Sequence, residues 1–141
     1  MARDLTAVVD GMVHESTQTQ DDGLDLTLAA VYEVGAPARV DFGGDELEAP
    51  ERLAVPTAPR NLRDEYEWYQ LDAGQYIVEF NESLHPPDDR TYWLQTRDVV
   101  RASGAFHPGV RVRDLGPMPF VVGGGGIRLK ENARVSTLFE E

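Results

Sequence analysis

The plainest signal along the chain is an apolar residue at every second position. Leu24-Asp25-Leu26-Thr27-Leu28 alternates strictly, the period of a half-buried strand, and residues 30–34 continue it as a second short strand. Upstream, Leu5, Val8, Val9 and Met12 suit either a short helical face or a strand between residues 4 and 15. Pro37, Pro50, Pro56 and Pro59 punctuate residues 35–63 too often for a long helix. That segment reads as a loop-rich insertion with brief strands at 38–42 and 52–55.

Residues 66–71 and 75–80 are rich in aromatic and β-branched side chains and flank Asp72-Ala73-Gly74, so they predict a hairpin. Pro86-Pro87-Asp88-Asp89 forces a turn before a strand at 91–96. A helical turn follows over 99–104, and Val110-Arg111-Val112-Arg113 alternates again. Strands at 119–122 and 127–129 bracket the run Gly123 to Gly126, and 134–139 forms the last strand. Many short strands with little helix define an all-β barrel, sandwich or prism. At 141 residues the chain holds one core, so residues 1–141 are read as a single domain.

Charge narrows the partners. The formal net charge is -12, and the cations are twelve arginines and a single lysine, Lys130. Such a field repels nucleic acid unless a basic patch overrides it. An acidic, nearly lysine-free chain resembles proteins of salt-loving microbes, where screening relieves the self-repulsion; a GC-rich genome favouring Arg over Lys gives the same composition. With no cysteine, disulfides and thiolate metal sites are excluded. Met1-Ala2-Arg3-Asp4 opens no apolar leader and no run approaches a membrane helix, so the expectation is a cytoplasmic protein without a membrane partner.

Most candidate chemistry has a plain structural counterpart. Gly123 to Gly126 lacks the Lys-Ser/Thr of a phosphate cradle and precedes a strand, so it reads as a turn. His14, His85 and His107 stand apart, with no second ligand at metal spacing, and no metal site is assigned. Trp68, Tyr69, Tyr76, Phe80 and Trp93 read as core or interface residues, and Glu140-Glu141 as a solvated end. Asp114, beside Leu115-Gly116-Pro117, is either a turn residue or a base.

Four segments in order resemble the dCTP deaminase/dUTPase family. Residues 20–28 are similar to its Gln-Pro-x-Gly-x-Asp-Leu motif, with Asp21 for proline; 71–82 to Leu-x-Pro-Gly-x-Tyr-x-Val-x-Phe-Asn-Glu; 97–105 to Arg-Ser-Ser-Leu-x-Arg-x-Gly-Ala; 126–138 to the closing Gly-x-Arg-Leu-x-x-Gly-Ala-Arg-x-Ala-Gln-Leu. Asn132 stands at a glycine of the last motif, and Asn best tolerates a left-handed turn there. The resemblance implies a dUTPase-like β-prism or jelly-roll-like domain, trimeric, with sites at subunit boundaries and a deoxynucleoside triphosphate as partner. It implies Mg²⁺ held by the substrate phosphates, Asp114 orienting water, and Arg97, Asp98, Arg101 and Thr137 at nucleotide-binding positions.

The departures fall on the same positions. The two serines become Asp98 and Val99, the second arginine falls on Ala102 with Arg101 one place off, and the glutamine becomes Thr137. The tyrosine that would stack on deoxyribose becomes Pro117, and Met118 to Val121 offer no proton carrier for deamination. Three readings stay open: an enzyme handling dUTP or dCTP, a catalytically silent relative that binds nucleotide or builds an assembly, and a plain β-sandwich unrelated to nucleotides.

Overall fold

The structure, a computed structural model, describes residues 5–141. Met1 to Asp4, including the stretch read for a leader, lie outside the described residues. Among the described residues the strands are β1 Val9–Asp10, β2 Leu24–Val34, β3 Arg52–Ala54, β4 Trp68–Leu71, β5 Gly74–Phe80, β6 Ser83–Leu84, β7 Tyr92–Thr96, β8 Ala105–Phe106, β9 Val110–Val112, β10 Met118–Val122, β11 Ile127–Lys130 and β12 Arg134–Glu140. Two short helices join them, α1 Glu15–Gln18 and α2 Asp98–Ala102. The all-β expectation holds.

The main sheet runs β8-β10-β5-β2-β12-β7-β9, with β3 alongside β2, and every pairing is antiparallel. Two small sheets, β1–β6 and β4–β11, complete the layers. Strand β2 is the keystone: its first half pairs with β12 and its second half with β5, with a register shift between Leu28 and Ala30. A bulge of this kind bends a strand and raises its twist, so the two predicted strands are one continuous strand turning a corner.

Leu24, Leu26, Leu28, Leu94, Phe120 and Leu138 are among the core residues at or below 1% exposure. Yet Asp25 and Thr27 are also buried, at 3% and 2%. The strand is therefore covered on both faces, and the alternation separates an apolar face from a hydrogen-bonded one, instead of core from water.

Two further expectations change. Residues 38–42 form no strand, only an Arg39–Glu48 bridge, and Val40 and Phe42 are exposed with no layer to cover them. Asp41 instead accepts the N–H groups of Gly44 and Glu46, closing a local loop. Strands β4 and β5 both exist but do not form a hairpin; β4 pairs with β11, and β5 with β2 and β10. A two-residue hairpin turn needs positive φ at its centre, which neither Asp72 nor Ala73 supplies, so the chain passes from one sheet into another. No helix of the described residues is long and apolar enough to cross a membrane.

Candidate functional site

Strand β12 lies between β2 and β7, and where the three meet they open a cleft of about 420 Å³. Gln20, Asp25, Gln95, Arg97, Asp98 and Thr137 are among its walls. Gly23 lets β12 approach: a Cβ there would come within 2.8 Å of Thr137 Cγ2 and 2.9 Å of the Leu138 carbonyl oxygen. Arg97 sits on extended backbone where β7 hands over to α2, whose Val100 is buried in the core. Its N–H donates to the Val135 carbonyl at 3.0 Å.

The centre of the cleft is Asp25, whose side chain is 4% exposed. Thr137 Oγ1 donates to its Oδ1 at 2.7 Å, Arg134 Nη1 to its Oδ2 at 3.0 Å, and Gln20 Nε2 to the same oxygen at 3.3 Å. Arg97 Nε stands 3.4 Å from Oδ2, and Arg97 Nη1 donates to the Arg134 carbonyl at 3.0 Å. A buried carboxylate is tolerated only when paired and hydrogen-bonded, and here two guanidinium groups do the pairing. Of the two, Arg97 lines the cleft with its side chain 26% exposed, so its remaining N–H donors are held at the wall for an oxyanion.

Behind the cleft His107 is 3% exposed. Its backbone N–H donates to Thr96 Oγ1 at 2.9 Å, and that hydroxyl donates to the His107 carbonyl at 3.1 Å. The ring Nε2 lies 2.6 Å from Ser136 Oγ and Nδ1 lies 2.8 Å from the Pro108 carbonyl. Burial pushes the imidazole pKa down, against a smaller opposing pull from the Pro108 carbonyl. His107 is thus a buried latch between β7, β8 and β12.

Of the residues singled out from sequence, Arg97, Asp98 and Thr137 line one cleft. Arg101 does not line it; its Nη2 pairs with Asp98 Oδ1 at 2.7 Å on the surface. Asp114 lies in an exposed bend between β9 and β10 and does not line the cleft of its own chain. The residues not singled out are Asp25 and Arg134. Their signal was present as the Asp and Arg of the first and last motifs, but only burial reveals that they meet. Glu141 is not a free end, since it accepts from Thr91 and pairs with Arg111.

A larger concavity, about 760 Å³, lies elsewhere, with Tyr76, Ile77, Phe106 and Val121 on its walls. Glu33 and Asp72 are its only charged lining residues, so it has nothing to hold a phosphate, and the smaller polar cleft is the better candidate. For Mg²⁺, no group of three or more His, Asp or Glu among the described residues is placed to hold an ion. Asp25 has both oxygens engaged, but the exposed Asp22 and Asp98 at the cleft are oxygen donors. They fit a hard cation that arrives on phosphates and keeps most of its water.

The fold matches the crystal structure of 2'-deoxycytidine 5'-triphosphate deaminase from Agrobacterium tumefaciens at a TM-score of 0.63 and 17% identity, over 96% of this chain and 44% of that one. The architecture is therefore the dUTPase-like β-fold, on a chain spanning less than half of that neighbour. No family model matches the chain. A Methanosarcina acetivorans protein named "Probable deoxyuridine 5'-triphosphate nucleotidohydrolase" is 30% identical over 137 residues, 93% of this chain and 76% of the relative. One of the same name from Archaeoglobus fulgidus is 33% identical over 89 residues, 63% of this chain and 48% of the relative. The chain belongs to the dCTP deaminase/dUTPase family.

Proposed function

We propose that this protein works in deoxynucleotide metabolism by hydrolysing dUTP to the monophosphate and diphosphate. The observation that carries the reading is Arg97, oriented by the buried Asp25 toward a cleft whose other walls include Gln20, Gln95 and Thr137. Arg97 binds phosphate oxygens, Arg134 and Thr137 keep Asp25 in place, and the glutamines supply neutral donors. When bound, Mg²⁺ offsets the charge of the phosphates against Asp22 and Asp98, which would otherwise repel them. Deamination is disfavoured, because Met118 to Val121 form β10 with Phe120 fully buried, leaving no proton carrier there.

Asp114 takes the water-orienting role only if it comes from a neighbouring copy, since it lies outside the cleft of its own chain. This supports a homotrimer whose sites are completed across subunits. A native mass near three times the 15.7 kDa chain is expected, and a monomer would overturn that part. The silent-module reading is not favoured, given relatives named for dUTP hydrolysis over most of the chain.

The decisive experiment incubates the protein with Mg²⁺ in high salt, suited to its acidic surface, and with dUTP, dCTP or dTTP. Diphosphate from dUTP is expected, with kcat/KM about 10²-fold lower in Arg97→Ala, the loss typical of one anion-stabilising donor. Absence of diphosphate release from dUTP would sink the proposal, and thermal stabilisation without release would mark binding alone.

A further inference from the structure

A second polar pocket lies on the outer face of the small β4–β11 sheet, where Gln70 stands opposite Arg128 and Trp68 opposite Lys130. Tyr69, Leu71 and Leu129 turn inward to the core, which leaves Gln70, Arg128 and Lys130 outside. Arg60 lies 4.4 Å over the Trp68 ring. Its position is fixed by Asp64, which accepts Arg60 Nε and Nη2 at 2.9 Å each and the Arg60 backbone N–H at 2.6 Å.

The pocket holds about 230 Å³ and is lined by Ala58, Pro59, Arg60, Trp68, Gln70 and Arg128. Two guanidinium groups and no carboxylate line it, in a chain with 25 acidic residues against 13 basic ones. The Arg128 side chain is exposed and makes no hydrogen bond or ion pair among the described residues, although anionic side chains abound elsewhere on the surface. The Trp68 Nε1–H is buried and has no acceptor among the described residues. Buried donors normally find acceptors, so an orphan among cations calls for an explanation.

We propose that this pocket binds a small oxyanion of the phosphate class, accepting from Arg128, Arg60, the Gln70 amide and Trp68 Nε1. The unpaired Arg128 fork matches phosphate oxygens. Arg60, whose Nε and Nη2 are held by Asp64, offers its remaining N–H groups from a position fixed before the ligand arrives. The volume is below the roughly 300 Å³ of ordinary small-molecule sites, and Arg60 already covers a face of the indole. Both facts favour inorganic phosphate or diphosphate over a nucleoside. The site is separate from the Asp25 cleft and does not depend on the reaction proposed there.

The test uses the full chain carrying Trp93→Phe, which leaves Trp68 as the single tryptophan. Phosphate, diphosphate and acetate are titrated at constant ionic strength, following Trp68 fluorescence and its indole N–H resonance. Phosphate and diphosphate are expected to give saturable changes and to shift the indole resonance. Arg128→Gln is expected to weaken binding about tenfold or more, and Arg97→Ala to leave it unchanged. The proposal is overturned by a response that never saturates, or by acetate binding as tightly as phosphate. It is equally overturned if the signal survives Arg128→Gln and disappears with Arg97→Ala, which would place the anion in the Asp25 cleft.

Discussion

Asp25 and Thr137 are register partners across β2 and β12, and the threonine hydroxyl donates to the aspartate at 2.7 Å. The side chain standing where the family has glutamine is therefore turned onto a buried carboxylate, which makes it a positioning residue. Thr137→Val removes the hydroxyl and keeps the shape, and loss of a hydrogen bond to a charged group costs about 1.5–3 kcal/mol. Asp25→Asn leaves Arg97 and Arg134 without their counter-charge. Broken buried pairs cost about 3–5 kcal/mol; with both arginines partly exposed, the lower end is expected. Urea titrations check both, and wild-type stability in Thr137→Val would remove Thr137 from this role.

Glu82 is the second buried carboxylate, at 3% exposure. Its Oε1 accepts the Thr27 N–H at 2.8 Å, and its Oε2 accepts Thr27 Oγ1 at 2.6 Å and Gln18 Nε2 at 2.8 Å. This ties α1 and β2 to the end of the 71–82 motif. Glu82→Gln turns an amide donor toward groups that already donate, so a loss of about 3 kcal/mol or more is expected from charge-assisted bonds of this kind. In a thermal melt each kcal/mol is worth about 2–4 °C for a domain somewhat larger than this one. An unchanged melting temperature would show that the network relaxes freely.

Nine of the twelve strands of the described residues are legible in the sequence, more easily than their partners. Period-2 patterning is local, so it placed β7, β9, β10, β11 and β12 to within a residue or so. Pairing depends on what the whole chain can bury, which is why the pattern joined β4 to β5 while the fold joins β4 to β11. The site followed the same division. Motif order led to Arg97 and Thr137, but Asp25 looked like an outward-facing strand residue until the second covering layer buried it. Helix α1 escaped notice because its N-terminus is capped by His14, whose Nδ1 accepts from the Thr17 N–H at 3.3 Å, and not by a more usual capping residue.

One legible detail was backbone shape. Asn132 has φ of 62°, the left-handed turn expected where a glycine is replaced by asparagine. Its Oδ1 also accepts from Asn81 Nδ2 at 2.9 Å. Asn132→Gly loses only that exposed bond, whereas Asn132→Ala also carries the left-handed penalty of about 1–2 kcal/mol. The alanine variant is expected to be less stable than the glycine variant by about 1 kcal/mol. Equal midpoints in denaturant would mean that the side-chain bond, and not the backbone, selects asparagine.

His107 gives the fold a pH dependence with a definite sign. An Nδ1–H donated to the Pro108 carbonyl leaves Nε2 as the acceptor for Ser136 Oγ, the two lying 2.6 Å apart. Protonation would force Nε2 to donate instead, in a site where burial already disfavours the charged ring. The folded-state pKa lies below the ordinary value, so the unfolded chain binds the proton more readily. The contribution is thus fully present above about pH 6.5, and it is lost as pH falls through the lower folded-state value. Unfolding free energies for the wild type and His107→Gln are compared from about pH 8 to about pH 5. Because the two proteins share every other ionisable group, their difference isolates His107. The wild-type advantage is expected to shrink on acidification, and one that stays constant or grows would refute the neutral latch.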